Sequence, residues 1–410
     1  MIIEWTPMRW PGAWKDPSAL DLLKGTAINY LLIEKGDDLG PIAARAQQES
    51  FRVVEAASPP SGVTVVEGEW PGVKLTESGA MDHASAGPTG IPWVDANGWK
   101  IRLTAALHPE SEVWVDSPPR KLRLYTESYV VAVAEAAAHG GRWIISLDSR
   151  LAEGIAGREA EALKTWKKVT GTAGFFAARK VWSDYLPEAV LGIISDFSGT
   201  NEFTTHEILN LVARANQQYR IILKGKVPES CFNGIRAVLY ADDQPPAPVL
   251  REQILAFVRA GGMLITGPKW GQLPGAPAKG DGHPRYDMRV LGRGRLAVAR
   301  PDFEDPYLVA NDSVVLVSHR YDMVRFWNGG AVGSYFTMAP GRKRAVLQML
   351  FYAGARFGKP TVRVTGQYRT VKLWVLDQPS PRQVGMEIQK DAVELHLPPI
   401  SQYAAVELEV

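Results

Sequence analysis

The chain has 410 residues, 46% of them hydrophobic and 22% charged. That composition excludes a wholly disordered protein, gives room for two or three domains, and contains no apolar run long enough to span a bilayer. Its 46 basic and 44 acidic side chains leave a formal charge of +2, so no global field favours nucleic acid or an anionic membrane. A single cysteine excludes an internal disulfide and a cysteine-based zinc finger. Tryptophan is in excess: 13 residues, against 13 Tyr and 12 Phe, with ten of the thirteen in the first 182 positions. The amino terminus, Met1–Trp10, starts a strand at once instead of a basic region and a long apolar stretch. No signal peptide is expected, and the compartment stays open.

From residue 1 to 186, short apolar runs alternate with helical patterns. Strands are expected at Ile2–Trp5, Ile28–Glu34, Phe51–Glu55, Val63–Glu67, Ile91–Asp95, Glu112–Asp116 and Arg142–Asp148. Helices fall between them at Ser18–Lys24, Ile42–Glu49, Ile101–Leu107 and Tyr125–Ala138, the first capped by Asp16 with Pro17 in its first turn. Apolar strands joined by helices argue for parallel pairing. An α/β fold with a (β/α) TIM-type barrel is the natural closure. Because 186 residues fall short of the roughly 250 of an eight-fold barrel, a shortened or irregular one is expected.

From 187 to 290 the alternation restarts. Strands Ala189–Phe197, Arg220–Leu223, Ile235–Tyr240 and Met263–Thr266 accompany helices Thr204–Asn216 and Val249–Ala260. Thr204 and Glu207 have capping-box spacing, and Gly261-Gly262 stops the second helix. This predicts a three-layer, flavodoxin-like α/β domain. From 291 to 410, runs such as Arg295–Val298, Val314–Ser318, Ala345–Phe351, Thr361–Val364, Val371–Leu376, Ala392–Leu397 and Ala404–Val410 predict a C-terminal β-sandwich. The boundary before it can lie anywhere from about 285 to 330.

In the first region nearly every expected strand ends in an acid: Glu4, Glu34, Glu55, Glu67, Asp95, Asp116 and Asp148. Barrel active sites sit at the C-terminal strand ends, and a pair of carboxylates there can cleave a glycosidic bond. The candidates for acid, base or nucleophile are Glu67, Glu69, Asp95, Asp116 and Asp148. If Val63–Glu67 is a strand, Glu67 and Glu69 share a face and repel, raising one pKa. Acids are equally at home at helix starts, which is the competing reading. Tryptophans adjoin these acids, and an indole offers a sugar an apolar platform plus one N–H donor. Trp10, Trp14, Trp70 and Trp99 are the candidate platforms, with Asn97 to orient hydroxyls. Trp93, Trp114 and Trp143 could equally fill a core. The segment Gly87–Trp99 is the densest, joining Asp95, Asn97 and Trp99.

The seven histidines show no metal-ligand pairing, and Gly292-Arg-Gly294 lacks the third glycine and the context of a dinucleotide fingerprint, so neither metal nor cofactor is expected. Arg285, Arg289, Arg293, Arg295 and Arg300 read as a solvated hairpin, not a nucleic-acid site.

The order of barrel, small α/β domain and β-sandwich resembles the multidomain β-galactosidases of glycoside hydrolase family 42. The strands at 189–197 and 235–240, with the helix ending Ala260-Gly-Gly and the strand at 263–266, look like their class I glutamine-amidotransferase-like domain. The resemblance implies a non-catalytic middle domain that joins subunits, hence a possible homo-oligomer. An amidotransferase would need a cysteine on a sharp turn after a strand, whereas Cys231 precedes one. The family's Asn-Glu pair has no counterpart in the barrel region, because the only such dipeptide is Asn201-Glu202. Two readings therefore stand: a glycoside hydrolase acting on an oligo- or polysaccharide through two carboxylates, or an inactive relative that binds glycans or serves as an assembly scaffold.

Overall fold

Runs of two to five residues rich in Val, Ile and Leu, too short for helices, form the parallel strands that open the chain. The computed structural model describes residues 5–34, 40–55, 59–74, 93–120, 124–280, 282–301, 305–354 and 358–410. Its early strands are β1 (Pro7–Arg9), β2 (Tyr30–Ile33), β3 (Arg52–Glu55), β4 (Val63–Glu67), β5 (Gly72–Val73), β6 (Val94–Asp95), β7 (Glu112–Asp116) and β8 (Arg142–Trp143). Parallel ladders join β1 to β2, β2 to β3, β4 to β7 and β7 to β8. A parallel bridge from Met8 to Ile145 links the two groups. The result is one arc, β3-β2-β1-β8-β7-β4, with no ladder between β3 and β4 among the described residues.

The helices α1 (Gly40–Gln48), α2 (Gly98–Leu107), α3 (Thr126–Ala138), α4 (Ser149–Ala156) and α5 (Ala160–Ala177) accompany this arc. Met8, Leu31, Val113, Val115, Trp143 and Ile145 share a core with residues of α1 to α5. The alternate residues Tyr30, Leu32, Trp114 and Ile144 form a separate cluster on the opposite face, as a two-residue side-chain period requires. Asp16 accepts from the Ser18 amide at 2.8 Å and starts the 3-10 turn Pro17–Leu23, as its position predicts.

Three expectations for this region need correction or fall outside it. The first strand is Pro7–Arg9, and most of Ile2–Trp5, with Glu4, lies outside the described residues. Strand β6 is not a barrel strand: it pairs antiparallel with β5 and runs directly into α2. The sequence reading also passed over α4 and α5.

β9 (Leu186–Pro187) pairs with residues 337–338, far along the chain. Next come β10 (Leu191–Ser195), α6 (Glu202–Arg214), β11 (Tyr219–Leu223), β12 (Ala237–Tyr240), α7 (Pro248–Arg259), β13 (Met263–Thr266), β14 (Ala276–Pro277), β15 (Tyr286–Leu291), β16 (Gly294–Ala299) and α8 (Pro306–Val317). One seven-stranded sheet has the order β11-β10-β12-β13-β16-β15-β14. β16 runs parallel to β13, so this sheet continues past residue 290. Gly292 and Gly294 belong to the β15–β16 turn, where a Cβ on Gly294 would stand 2.0 Å from the Val258 carbonyl oxygen of α7. Close approach of helix and hairpin accounts for these glycines. Helix α6 starts at Glu202, so Thr204 and Glu207 lie inside it and make no capping box. Residues 314–317 end α8 instead of forming a strand, because Val314 and Val317, three apart, continue a buried helical face.

The remaining strands are β17 (Val324–Trp327), β18 (Val332–Met338), β19 (Arg344–Phe351), β20 (Thr361–Thr365), β21 (Thr370–Val375), β22 (Gly385–Ile388), β23 (Ala392–His396) and β24 (Tyr403–Glu409). They form antiparallel sheets ordered β17-β20-β23-β22 and β21-β24-β19-β18-β9. Inward residues of both, among them Val362, Val393, Leu347 and Val406, share one core. No helix among the described residues is long and apolar enough to cross a membrane.

Candidate functional site

Side chains alternate along a strand, so the face carrying Tyr30, Leu32, Trp114 and Ile144 also carries Glu34, Asp116 and Ser146 at the C-terminal ends. Arg9, at the end of β1, reaches all three. Its guanidinium donates to both Asp116 oxygens at 2.8 and 2.7 Å, to Ser146 Oγ at 3.3 Å, and to Glu34. Burial opposes its charge, but the hydrogen bonds to Asp116 and the fields of Asp116 and Glu34 hold its pKa above the usual value. Glu67 is the register partner of Asp116 on the neighbouring parallel strand. The structure thus brings Glu34, Glu67 and Asp116 to one mouth, where Arg9 binds Glu34 and Asp116.

The other predicted residues go elsewhere. Asp148 caps α4, accepting from the Leu151 amide at 2.9 Å and from the Tyr129 hydroxyl at 2.7 Å. Asp95 leaves the barrel with β6 and accepts from Trp93 Nε1 at 3.2 Å. Glu69 lies beyond the last residue of β4, so the expected shared face with Glu67 is absent; both side chains are exposed. Asn97 is buried and structural: its amide clamps the Glu69 backbone at 2.8 and 2.9 Å and donates to Glu135 at 2.9 Å.

Trp10 and Trp14 are not platforms, since each is only 1% exposed. The turn at Pro11 folds Trp14 back, its amide bonding to the Pro11 carbonyl at 2.9 Å. Trp10 Nε1 then donates to the Trp14 carbonyl and Trp14 Nε1 to the Ala152 carbonyl, at 2.9 and 2.8 Å. Trp70 packs edge-on against Tyr129 and Trp143. Trp93 is partly buried, whereas Trp114 and Trp143 are core. Of the segment Gly87–Trp99, residues 87–92 lie outside the described residues.

A cavity of about 600 Å³ opens where α2, α6 and α8 meet β17 and β18. Trp99 and Arg102 enter it from α2, Asn210 and Asn216 from α6 and its end, and Tyr307 and Asn311 from α8. Trp99 is partly exposed and tilted against His206, with ring centroids 5.2 Å apart. The lining includes a polar cluster of Glu135, His139 and Tyr352. Glu135, 1% exposed, accepts from the Tyr352 hydroxyl at 2.7 Å and from the Asn97 backbone and side-chain nitrogens at 3.1 and 2.9 Å. It therefore serves the unpaired amides at the start of α2. Burial raises its pKa against those hydrogen bonds. His139 bonds through Nδ1 to the Glu135 carbonyl at 2.9 Å and stacks on Tyr335. Desolvation brings its pKa down to about 4, despite the opposing Glu135 hydrogen bond.

On the cavity wall, Asp322 Oδ1 and Asn216 Oδ1 are buried without a hydrogen-bond partner. Asp322 Oδ2 meets His319 Nδ1 at 2.9 Å, and Asn216 Nδ2 donates to the Val332 carbonyl at 3.1 Å.

The sequence reading missed Arg9, because it searched the strand ends for acids alone. It also missed Glu135, although one acid within the Val/Ala-rich face of α3 is a legible signal. Arg102, Asn216 and Asp322 carry no local signal, since chain crossovers bring them together.

Among the described residues, one cluster has the spacing to hold a metal: Glu387, Glu394 and His396, with ligand atoms within 4.8 Å of one another. It lies on the outer face of the β22–β23 pair, where Glu394 also stands opposite Arg363.

No protein-family model matches the chain, and no curated protein matches it in sequence. Among solved structures it is similar to a rhamnosidase from Novosphingobium sp. PP1Y, at TM-score 0.51 and 11% identity, over 91% of this chain and 38% of that one. The chain therefore has a glycosidase-like, mixed α/β fold. It is also similar to α-L-fucosidase isoenzyme 2 from Paenibacillus thiaminolyticus (TM-score 0.46, 10% identity) and a β-galactosidase from Bacillus circulans sp. alkalophilus (TM-score 0.44, 11% identity). Each of those two likenesses covers 73% of this chain and 60% of the other, so the chain spans about three-fifths of their length.

Proposed function

We propose that this is a glycosidase-like protein that binds an oligosaccharide in the cavity between α2, α6, α8 and the strands β17 and β18. The observation that carries this reading is the cavity itself. At about 600 Å³ it lies within the range of small-ligand sites. Its lining combines Trp99 and Tyr307 with the amides of Asn210, Asn216 and Asn311. An aromatic face with hydrogen-bonding groups around it suits a sugar ring, whose C–H face stacks while its rim of hydroxyls bonds. The choice of carbohydrate as ligand class leans on fold likeness, an argument by analogy.

Calorimetry with neutral and acidic trisaccharides tests this reading. Binding that Trp99→Ala weakens at unchanged stability supports it; absence of binding across the panel overturns it.

A second reading, hydrolysis at the strand ends, is favoured by the Glu67–Asp116 register. Adjacent strands lie about 4.8 Å apart, close to the roughly 5–5.5 Å between carboxyls in retaining glycosidases. Arg9 would hold the Asp116 carboxylate in place as nucleophile, with Glu67 as its partner. Turnover of a glycoside panel that is lost in both Glu67→Gln and Asp116→Asn would establish it, and turnover surviving both would exclude it.

A further inference from the structure

Arg102 is a cation without an acid. Its guanidinium stacks 3.9 Å from the Tyr219 ring centroid and 4.8 Å from that of Tyr335. It donates only to neutral groups, the Tyr219 carbonyl at 2.6 Å and the Tyr335 side chain. The groups that feel its field most directly are His139, Tyr219 and Tyr335. All three are neutral at pH 7, because burial lowers the histidine and raises the tyrosines. No carboxylate lies within ion-pair distance of Arg102 among the described residues.

A partly buried guanidinium loses much of its hydration and ordinarily recovers it from a carboxylate. Tyrosine rings hold the flat face of this one, and its N–H edge keeps donors beyond those given to Tyr219 and Tyr335. That edge is the part of arginine that pairs in bidentate fashion with planar anions. Arg102 also lines the cavity.

We infer that the cavity selects an anionic saccharide, one bearing a carboxylate or a sulfate ester, with Arg102 as its counter-ion. This rests on the carbohydrate-binding reading above and adds the charge of the ligand to it. The acids of the cavity are compatible with an anion. Glu135 is enclosed by Tyr352, Asn97 and α2, and Asp322 is held by His319. Arg325 lines the same cavity and adds to its positive potential.

The experiment is titration calorimetry of the full chain with three matched probes: a neutral galactotriose, a trigalacturonate and a sulfated galactotriose. At low salt one anionic probe is expected to bind about tenfold or more tighter than the neutral one. Added salt should erode that preference, because screening acts on the ionic part of the affinity. The two anionic arms tell carboxylate from sulfate. Arg102→Met should bring the anionic and neutral affinities within about twofold while neutral binding persists, and Arg102→Lys should restore part of the preference. Should Arg102→Met fail to fold, the salt titration of the unaltered protein and the lysine variant carry the test. Neutral binding as tight as anionic, or a preference that survives Arg102→Met, overturns the inference and leaves the carbohydrate reading standing. Failure of all three probes to bind overturns both.

Discussion

His139 makes the stability of the α2–α3 junction depend on pH in a direction the structure fixes. Its imidazole donates from Nδ1 to the Glu135 carbonyl, stacks on Tyr335, and has a pKa near 4 because it is desolvated beside a helix end. In the unfolded chain the same group titrates near 6.5. Between these values the unfolded state binds the extra proton, so stability is fully present above about pH 6.5 and drains away as pH falls toward 4. At about 1.4 kcal/mol per tenfold, the full gap is about 3 kcal/mol, and partial solvent access of the half-buried ring trims this to about 2. Glu135 acts with the opposite sign. Its raised carboxyl stabilises most below about 4.5 and loses that contribution as pH rises through its folded value. The observable is therefore a difference, the unaltered protein minus His139→Gln, in which Glu135 and the surface carboxylates cancel. Hydrogen exchange of the α3 amides measures it between pH 7 and pH 4.5, because a chain with several cores need not unfold as one unit. The difference should shrink by about 2 kcal/mol on acidification. A difference constant within about 0.5 kcal/mol would refute the reasoning.

Three further substitutions test the assignments. Trp14→Ala should cost about 3–5 kcal/mol in urea denaturation followed by circular dichroism, since it removes a buried indole from the Trp10–Trp14–Trp166 cluster. Unchanged stability with weakened sugar binding would return Trp14 to the role of platform. Gly98→Ala should cost about 1–3 kcal/mol, because its Cβ would lie 2.5 Å from the His139 ring; a double-mutant cycle with His139→Ala should recover most of that loss. Asp148→Ala should cost about 2–3 kcal/mol, combining a lost helix cap with an orphaned Tyr129 hydroxyl, and Asp148→Asn should cost less.

Strands were legible where β-branched and aliphatic residues run together between turn signals. Val63–Glu67, Glu112–Asp116 and Met263–Thr266 match the expected limits residue for residue. Helices whose apolar stripe is diluted by Lys and Thr were not, as α5 shows, and the valines of α8 mimic a strand. At the candidate site the acids were legible as residues but not as partners. Periodicity places Asp116 at a strand end, yet nothing local says that Arg9, 107 positions away, holds it. Trp10 and Trp14 misled for a related reason. A loop beside a strand end looks exposed in sequence, and only the later α4, whose Ala152 carbonyl accepts the Trp14 N–H, covers it.

Why the strand-end acids surround an arginine follows from the size of the arc. The width of a strand barrel grows with strand number, so six parallel strands enclose less space than eight. Here Tyr30 and Trp114, edge to face at 5.0 Å, already fill the interior face below the mouth. Inward acids one layer above are therefore close neighbours, as the Glu67–Asp116 register requires. Like charges at that range repel through a partly desolvated medium unless a cation stands among them. Arg9 is that cation, and its bonds to Asp116 and Glu34 take up the donors that a substrate would otherwise have to displace. At the narrow mouth these bonds are made within the chain. At the junction cavity Arg102 has no acid partner among the described residues, and about 600 Å³ of space leaves room for a ligand to supply one.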